Sequence, residues 1–399
     1  MRLFICLIFF PTFCFSFKGV AQYPQLSENA EICLMTMSPG QSELYTAFGH
    51  SALRVVDSTQ GIDVVFNYGI FSFNQPNFYL NFTKGKLYYE LGLRSYRRTL
   101  SVYKRDNRTI TEQYLNLTPD EKQQMFNLLM INAEPENKNY YYNYCFDNCS
   151  TRIRDILRQV LGDHLSYDYS FAKDSLSYRG LMDLYLGQQP WGDLGIDYCL
   201  GSQIDKTADG EGYMYLPEFL LEAFDGGTIS QEDTIRSLIK ETRIVNKAVP
   251  IPDASSLIKP VHAFVLVFFF VGLLIHRGLK YGASPRWVDV ILFGGTGLLG
   301  LFLIFLWFGT DHLSKNNSNL IWCTPMSLIA LILLLSKKYQ TILMYYFYAF
   351  GGILILQIIF REMMTQTLHY AFIPFVLALA LRAFYLGYEI KRDLNLRSE

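Results

Sequence analysis

The sequence predicts an α+β extracytoplasmic domain followed by an all-α membrane domain of five helices. Three observations lead there. The chain opens with a targeting-type segment. From Gln22 to about Leu257 it is polar and mixed, and its patterning changes midway from strand-like to helix-like. Beyond a proline-containing linker it breaks into five apolar stretches. The 399 residues are 50% hydrophobic and 18% charged, against about 25% charged in an average soluble protein, which excludes a disordered chain and suits two or three domains. Thirty-five basic and 36 acidic residues leave a formal charge of -1, so the chain lacks the basic footprint of a nucleic-acid binder.

Residues 1–21 read as a signal peptide: Arg2, an apolar run from Leu3 to Phe17, and the small-residue site Gly19-Val20-Ala21, with cleavage expected after Ala21. A retained anchor is the alternative, because Pro11 and the many Phe residues make an unusual core and Lys18 lies just beyond it. Either way the chain is exported.

Residues 22–248 form the expected extracytoplasmic domain. Ser51–Val56 and Asp63–Tyr68 are β-rich runs joined by the Gly-containing stretch Asp57–Gly61, a hairpin signal, and further strands are expected at Gly85–Leu93 and Thr109–Leu117. Thr118-Pro119-Asp120-Glu121 offers an N-cap, a proline at the first helical position and acids in the first turn, opening a helix to about Asn132. A second helix follows Asn148, with Ile153, Ile156, Leu157, Val160 and Leu161 on one face.

Residues 249–258 are the linker, 259–390 the membrane domain and 391–399 a cytoplasmic tail. The apolar stretches are Val261–Ile275, Val288–Phe308, Leu320–Leu335, Ile342–Phe360 and Tyr370–Leu386, the first and third being short for a span. Arg277, Lys280, Arg286, Lys337, Lys338, Lys391, Arg392 and Arg397 fall in alternate connections and the tail, whereas the other connections hold only Lys315 and Arg361. The positive-inside rule then puts the carboxyl end in the cytoplasm and the first domain outside. The outer loop Gly309–Asn319 is polar, and Trp322 is expected at interfacial depth.

The seven cysteines do not form a metal pattern: Cys6 and Cys14 fall in the signal segment, Cys323 in a membrane stretch, and Cys33, Cys145, Cys149 and Cys199 lack ligand spacing. A Cys33–Cys199 bridge is left open.

Two segments carry chemistry. Tyr45-Thr46-Ala47-Phe48-Gly49-His50 leads into a strand, and Tyr144-Cys145-Phe146-Asp147-Asn148-Cys149 leads into a helix. A cysteine in the first turn of a helix lies beside unsatisfied N–H groups and the positive dipole end, which favour thiolate and can stabilise an oxyanion. A histidine at a strand start is a fixed base for it. Asn67, with Tyr68 as rival, is the candidate orienter of His50. Arg152 and Arg154 are candidates for holding a phosphate, and Tyr45 for contacting substrate. Tyr140-Tyr-Tyr-Asn-Tyr144 is an aromatic stripe that fits either an acyl slot or a core strand. His312, Asn316, Asn317 and Asn319 belong to the outer loop.

Phe-Gly-His50 opening a strand and Asn-Cys149 opening a helix resemble the circularly permuted papain-like families related to NlpC/P60 proteins and lecithin-retinol acyltransferases. More closely, Glu43-Leu-Tyr-x-Ala-Phe-Gly-His50-x-Ala-Leu-Arg54, Asn67-Tyr-Gly69, Gly85-Lys-Leu-x-Tyr89 and Phe146-Asp-Asn-Cys149-x-Thr-Arg-Ile-Arg-Asp155, followed by five membrane stretches, resemble the Lnb family of bacterial lipoprotein N-acyltransferases. That resemblance implies a permuted papain-like domain on the outer face of the inner membrane. It also implies an acyl chain moved from a phospholipid to the α-amino group of diacylated apolipoproteins through a Cys149 thioester, with no cofactor or metal. A membrane-tethered peptidase or amidase acting on cell-wall peptides is the alternative, although one span would suffice for it. A non-catalytic assembly factor would leave Cys149 as a core residue.

Overall fold

In the computed structural model, residues 23–231, 234–250, 258–282 and 284–398 are described. The expected signal peptide, its cleavage site, Cys6, Cys14 and most of the linker lie outside them.

The sheet begins with a strand absent from the sequence expectations, β1 (Glu31–Met37). All but its first residue are buried, so it has no apolar–polar alternation to read. β2 (His50–Asp57) and β3 (Ile62–Ile70) form the expected hairpin, in register from Asp57 opposite Ile62 to Leu53 opposite Phe66. Its turn is held by Asp57, whose carboxylate accepts from the Thr59 and Gln60 amides. The chain continues through α1 (Phe78–Thr83), β4 (Tyr88–Ser95), α2 (Tyr96–Arg105), β5 (Ile110–Leu115), α3 (Pro119–Ala133), β6 (Asn139–Tyr141) and α4 (Cys149–Leu161). After these come β7 (Leu165–Ser166), α5 (Tyr178–Leu186), α6 (Pro190–Cys199), α7 (Gly210–Tyr213), α8 (Pro217–Asp225), β8 (Thr228–Gln231), β9 (Thr234–Ser237) and β10 (Ile239–Asn246).

Seven strands make an antiparallel sheet in the order β10-β5-β1-β2-β3-β4-β6, and β7, β8 and β9 make a small second one. Strand alternation separates two cores. Ile32, Leu34, Leu53, Val55 and Phe66 face α3 and α4, meeting Met125, Phe126, Leu129, Ile153 and Leu157. Cys33, Met35, Met37, Ala52 and Val65 face Tyr96, Leu100 and Tyr103 of α2. α3 starts as expected, Thr118 accepting from the Glu121 amide while the Glu121 carboxylate accepts from the Thr118 amide.

Among the described residues, four helical segments are long and apolar enough to cross a membrane: Pro260–Tyr281, Trp287–Gly309, Lys337–Ile359 and Tyr370–Arg397. The third expected stretch, Leu320–Leu335, already short for a span, is the shorter apolar piece Ser318–Leu333, interrupted before its α-helical part, Met326–Leu333. Pro325 stands at that interruption and supplies no backbone N–H. Deep in the bundle, Arg382 is neutralised by Asp289 at 2.6 Å and bonded to Ser284 at 2.6 Å, which lets a cation sit among apolar helices.

The two parts meet along α6. The Asn319 side-chain amide donates to the Asp197 carbonyl at 2.9 Å, that of Asn317 to the Tyr198 carbonyl at 2.8 Å, and that of Gln366 to the Leu200 carbonyl at 2.9 Å. The polar outer loop is therefore a docking element. Trp322, expected at interfacial depth, is 1% exposed and packs against Tyr198 and Phe372. Cys33 and Cys199 are both free, one in the α2-side core of the sheet and the other against the membrane-side core, so the open bridge does not form.

Candidate active site

Cys149 is the first residue of α4, and its position follows from Asn148. The Asn148 side-chain oxygen accepts from the amides of Ser150 at 2.9 Å and Thr151 at 3.0 Å, while its side-chain nitrogen donates to the carbonyls of Tyr144 and Tyr215 at 2.8 Å each. An aspartate would cap the turn but could not make the last two bonds. Since Asn148 takes two of the free N–H groups at the helix start, the Cys149 N–H is the member of the turn left to face an oxyanion.

His50 opens β2 after Gly49, which has φ +81°; a Cβ there would stand 3.0 Å from the Met37 carbonyl oxygen, so glycine alone fits before the histidine. The ring stacks on Tyr103 at 6.3 Å, and its Nε2 lies 2.7 Å from Asn67 Oδ1. A carbonyl oxygen only accepts, so Nε2 carries the proton and Nδ1 is left with the lone pair for the thiol. Ser51 and Ser150 join the two elements through their hydroxyls, 3.0 Å apart.

The electrostatics follow from this contact. Burial pushes the Cys149 thiol up, but the charge and hydrogen bond of His50, with the Ser51 backbone and the Ser150 hydroxyl, outweigh it and bring the thiol below its ordinary value. For His50, burial pulls downward, and the charge and hydrogen bond of Cys149 together with Asn67 hold the imidazole above its ordinary value. Both directions favour a thiolate–imidazolium pair. Cys145, four residues earlier, is pushed by burial to about 12 and is not poised to attack.

Two models of known families match the chain. One, described as Lnb N-terminal periplasmic domain, matches residues 26–180, and the other, described as Lnb transmembrane domain, matches residues 252–393. The chain belongs to the Lnb family. It is accordingly a membrane protein with a periplasmic domain. Neither a search of curated proteins nor one of solved structures returned a match.

Within this Lnb chain the other sequence candidates fall in different places. Asn67 and His50 share the α2 face of the sheet. Tyr68 points to the opposite face, where its hydroxyl accepts from the Asn132 side-chain amide at 2.9 Å, so it does not serve His50. Arg152 is clamped by Asp147 at 2.5 Å and lies over the Tyr140 ring at 3.8 Å. Arg154 pairs with Asp155 at 2.7 Å and Glu211 at 3.4 Å. Both guanidinium groups are thus neutralised within the fold. Tyr45 is 63% exposed and sets its edge on Phe71, 6.0 Å away. His312 bonds the Phe82 carbonyl at 2.9 Å. Arg54, part of the family-like motif, pairs with Asp63 at 2.8 Å and stacks on Tyr96, bracing the sheet.

Sequence reasoning missed Arg108. Its Nε donates to the Ser38 carbonyl at 2.6 Å and its Nη2 to the Met37 carbonyl at 3.2 Å, and the guanidinium lies 5.0 Å from the centre of the Tyr103 ring that stacks on His50. Among the described residues it has no carboxylate partner. No motif marks it, because its role depends on strand ends far apart in sequence. Asp183, Asp193 and Asp197 bring carboxylate oxygens within 4.8 Å of one another, but Arg179 already pairs with Asp197 at 2.7 Å and His369 with Asp193 at 3.2 Å.

Proposed function

We propose that this Lnb protein is an N-acyltransferase that moves an acyl chain from a membrane phospholipid to the α-amino group of the diacylglyceryl-cysteine of apolipoproteins. The observation that carries the reading is the Cys149–His50–Asn67 arrangement in a domain docked along α6 onto apolar helices: a polarised thiol held where ester-bearing lipids are.

In the first half-reaction His50 Nδ1 takes the thiol proton and Sγ attacks the ester carbonyl carbon of the donor. The oxyanion is met by the Cys149 N–H, and the imidazolium returns its proton to the departing lysophospholipid oxygen as the C–O bond breaks, leaving a thioester. In the second, the lipoprotein amine attacks the thioester carbon, His50 takes the amine proton, and Sγ departs as the amide forms. Asn67 holds the ring for both steps, and Arg108, which forms no ion pair with a carboxylate among the described residues, is the candidate for meeting the donor phosphate. Donor and acceptor are both membrane-anchored, which suits a multi-helix platform better than the single tether sufficient for a cell-wall peptidase. The cationic connections and tail lie on the cytoplasmic side in this reading.

Intact mass spectrometry of the protein purified from membranes tests it. An acyl mass on Cys149 that hydroxylamine removes is the expected result. A bare thiol after incubation with phospholipid vesicles would overturn the reading.

A further inference from the structure

The segment from Ile70 to Thr83 contains no Asp, Glu, Lys, Arg or His, although it belongs to the periplasmic domain. It also leaves large side chains uncovered, with Phe73 59% and Tyr79 74% exposed and Leu80 and Phe82 exposed beside them. A water-soluble surface rarely gathers such residues without an apolar partner.

Its place in the fold says what the partner is. The segment ends in α1, whose last turn is tied to the loop leaving the span Trp287–Gly309: the Asp311 amide donates to the Lys84 carbonyl at 2.9 Å, and His312 Nε2 bonds the Phe82 carbonyl at 2.9 Å. The backbones touch so closely that a Cβ on Gly85 would stand 2.6 Å from the His312 nitrogen. α1 therefore sits at the depth where a span ends. That is the bilayer interface, where aromatic rings collect.

From there a line of rings leads inward. Phe78 meets Phe73 at 5.0 Å and Phe71 at 6.1 Å, Phe71 stacks on Tyr89 at 4.9 Å, and Tyr89 lies 4.6 Å from Tyr142. Tyr142 and the nucleophile flank Gly69, whose added Cβ would lie 3.2 Å from the Tyr142 ring and 4.0 Å from the Cys149 Cβ. A cavity of about 540 Å³ opens beside Phe71, Tyr88, Tyr89 and Tyr141, within the size range of small-molecule sites.

We propose that residues 70–83, continued by Tyr89 and Tyr142, form an aromatic ramp on which one acyl chain of a phospholipid leaves the outer leaflet and reaches Cys149. The proposal rests on the acyl-transfer reading and gives that site its donor path. The neighbouring Tyr45 widens the ramp at Phe71.

The full-length Cys149→Ala protein, reconstituted in vesicles containing a phospholipid with a diazirine near the end of one acyl chain, tests it without turnover. Irradiation is expected to mark Phe71, Phe78, Tyr89 and Tyr142 in addition to the spans. Adding Tyr79→Ser and Leu80→Ser to that protein should lower the yield on Phe71 and Tyr89 about tenfold, equivalent to about 1.4 kcal/mol of lost apolar contact. The same two serines in a chain with Cys149 intact should leave its alkylation by iodoacetamide unchanged, showing an intact fold. Adducts confined to residues 260–398 would overturn the ramp. So would ramp adducts obtained from an acyl-labelled lipopeptide and not from phospholipid, which would make it the acceptor's path. An absent thioester on the wild-type protein would instead strike the acyl-transfer reading, and the crosslinks would still report where the chain lies.

Discussion

The hydroxyl oxygens of Ser51 and Ser150 lie 3.0 Å apart, joining the residue after His50 to the residue after Cys149. Both are fully buried, so neither has water as a substitute partner. The bond ties the strand that carries the base directly to the helix that carries the nucleophile. Replacing either serine by alanine strands the other hydroxyl, at a cost of about 1–3 kcal/mol. Ser51→Ala and Ser150→Ala should each lower the melting temperature in detergent, and the double variant should lose less than the two losses combined. Strict additivity in the thermal melts would show that the hydroxyls are not coupled.

Two cysteines four residues apart should behave oppositely. Cys149→Ala should abolish acyl transfer while the protein stays inserted, because α4 accepts alanine at its first position and, among the described residues, no other thiol is polarised. Cys145→Ala should retain transfer, since that thiol is buried and held at about 12. Transfer assays on the two variants check this, and loss with Cys145→Ala alone would move the nucleophile.

Much of this site was legible because its signals are local. Asn148 before Cys149 announces a helix start, His50 stands at the head of a β-rich run, and Thr118 with Pro119 and Glu121 opens a helix. What escaped depends on the third dimension. β1 is buried on both faces and so shows no period. Arg108 draws its meaning from carbonyls of Met37 and Ser38, some seventy residues away. Asn317 and Asn319 look like loop residues until their amides are seen to grip the carbonyls ending α6. The choice between Asn67 and Tyr68 turned on strand parity, since one residue of register moves a side chain to the other face of the sheet.

Arg108 should matter to the donor, and its charge is also felt by His50 and Cys149. Arg108→Ala is expected to raise the KM for an anionic phospholipid about 10–100-fold, the range for losing a charge-assisted hydrogen bond. Arg108→Lys should recover only part, because an ammonium cannot hold two carbonyls and still present a planar face. Donor titrations in mixed micelles, beside the rate of Cys149 alkylation, separate the effects. An unchanged KM would leave Arg108 a brace for the β1 end.

The arrangement of the spans is open to a direct check. Residues 310–319 and 361–369 both touch the periplasmic domain, through Asn317 and through His369 on Asp193. The stretch Ser318–Leu333, though short, must therefore lead away from that side and Gln340–Ile359 must return. A reporter fused at Glu399 should register as cytoplasmic and one inserted at Lys315 as periplasmic. The same side for both would mean that the short piece turns back within the membrane.

The pH dependence of Cys149 alkylation should report His50 directly. In the wild-type protein the thiolate persists down to a pH below the ordinary thiol value of 9.0, because His50 opposes the upward push of burial. His50→Ala removes the charge and the hydrogen bond together and leaves burial, the largest influence, almost unopposed. The midpoint should then rise above 9.0, in the direction of the other buried thiols. Asn67→Ala should act from the other end. It withdraws one of the groups that hold the imidazole above 6.5, so the imidazolium is lost at lower pH and the window in which thiolate and imidazolium coexist narrows from its upper side. Transfer should fall with it, by some part of the roughly 10²–10⁴-fold that a positioned base contributes. Alkylation rates measured from pH 5 to 10 on the three proteins, each beside single-turnover acylation, read both edges. An unmoved lower edge in the His50→Ala protein would mean that the α4 N-terminus alone polarises the thiol, and His50 would then be required only for the protons of the leaving alcohol and the attacking amine.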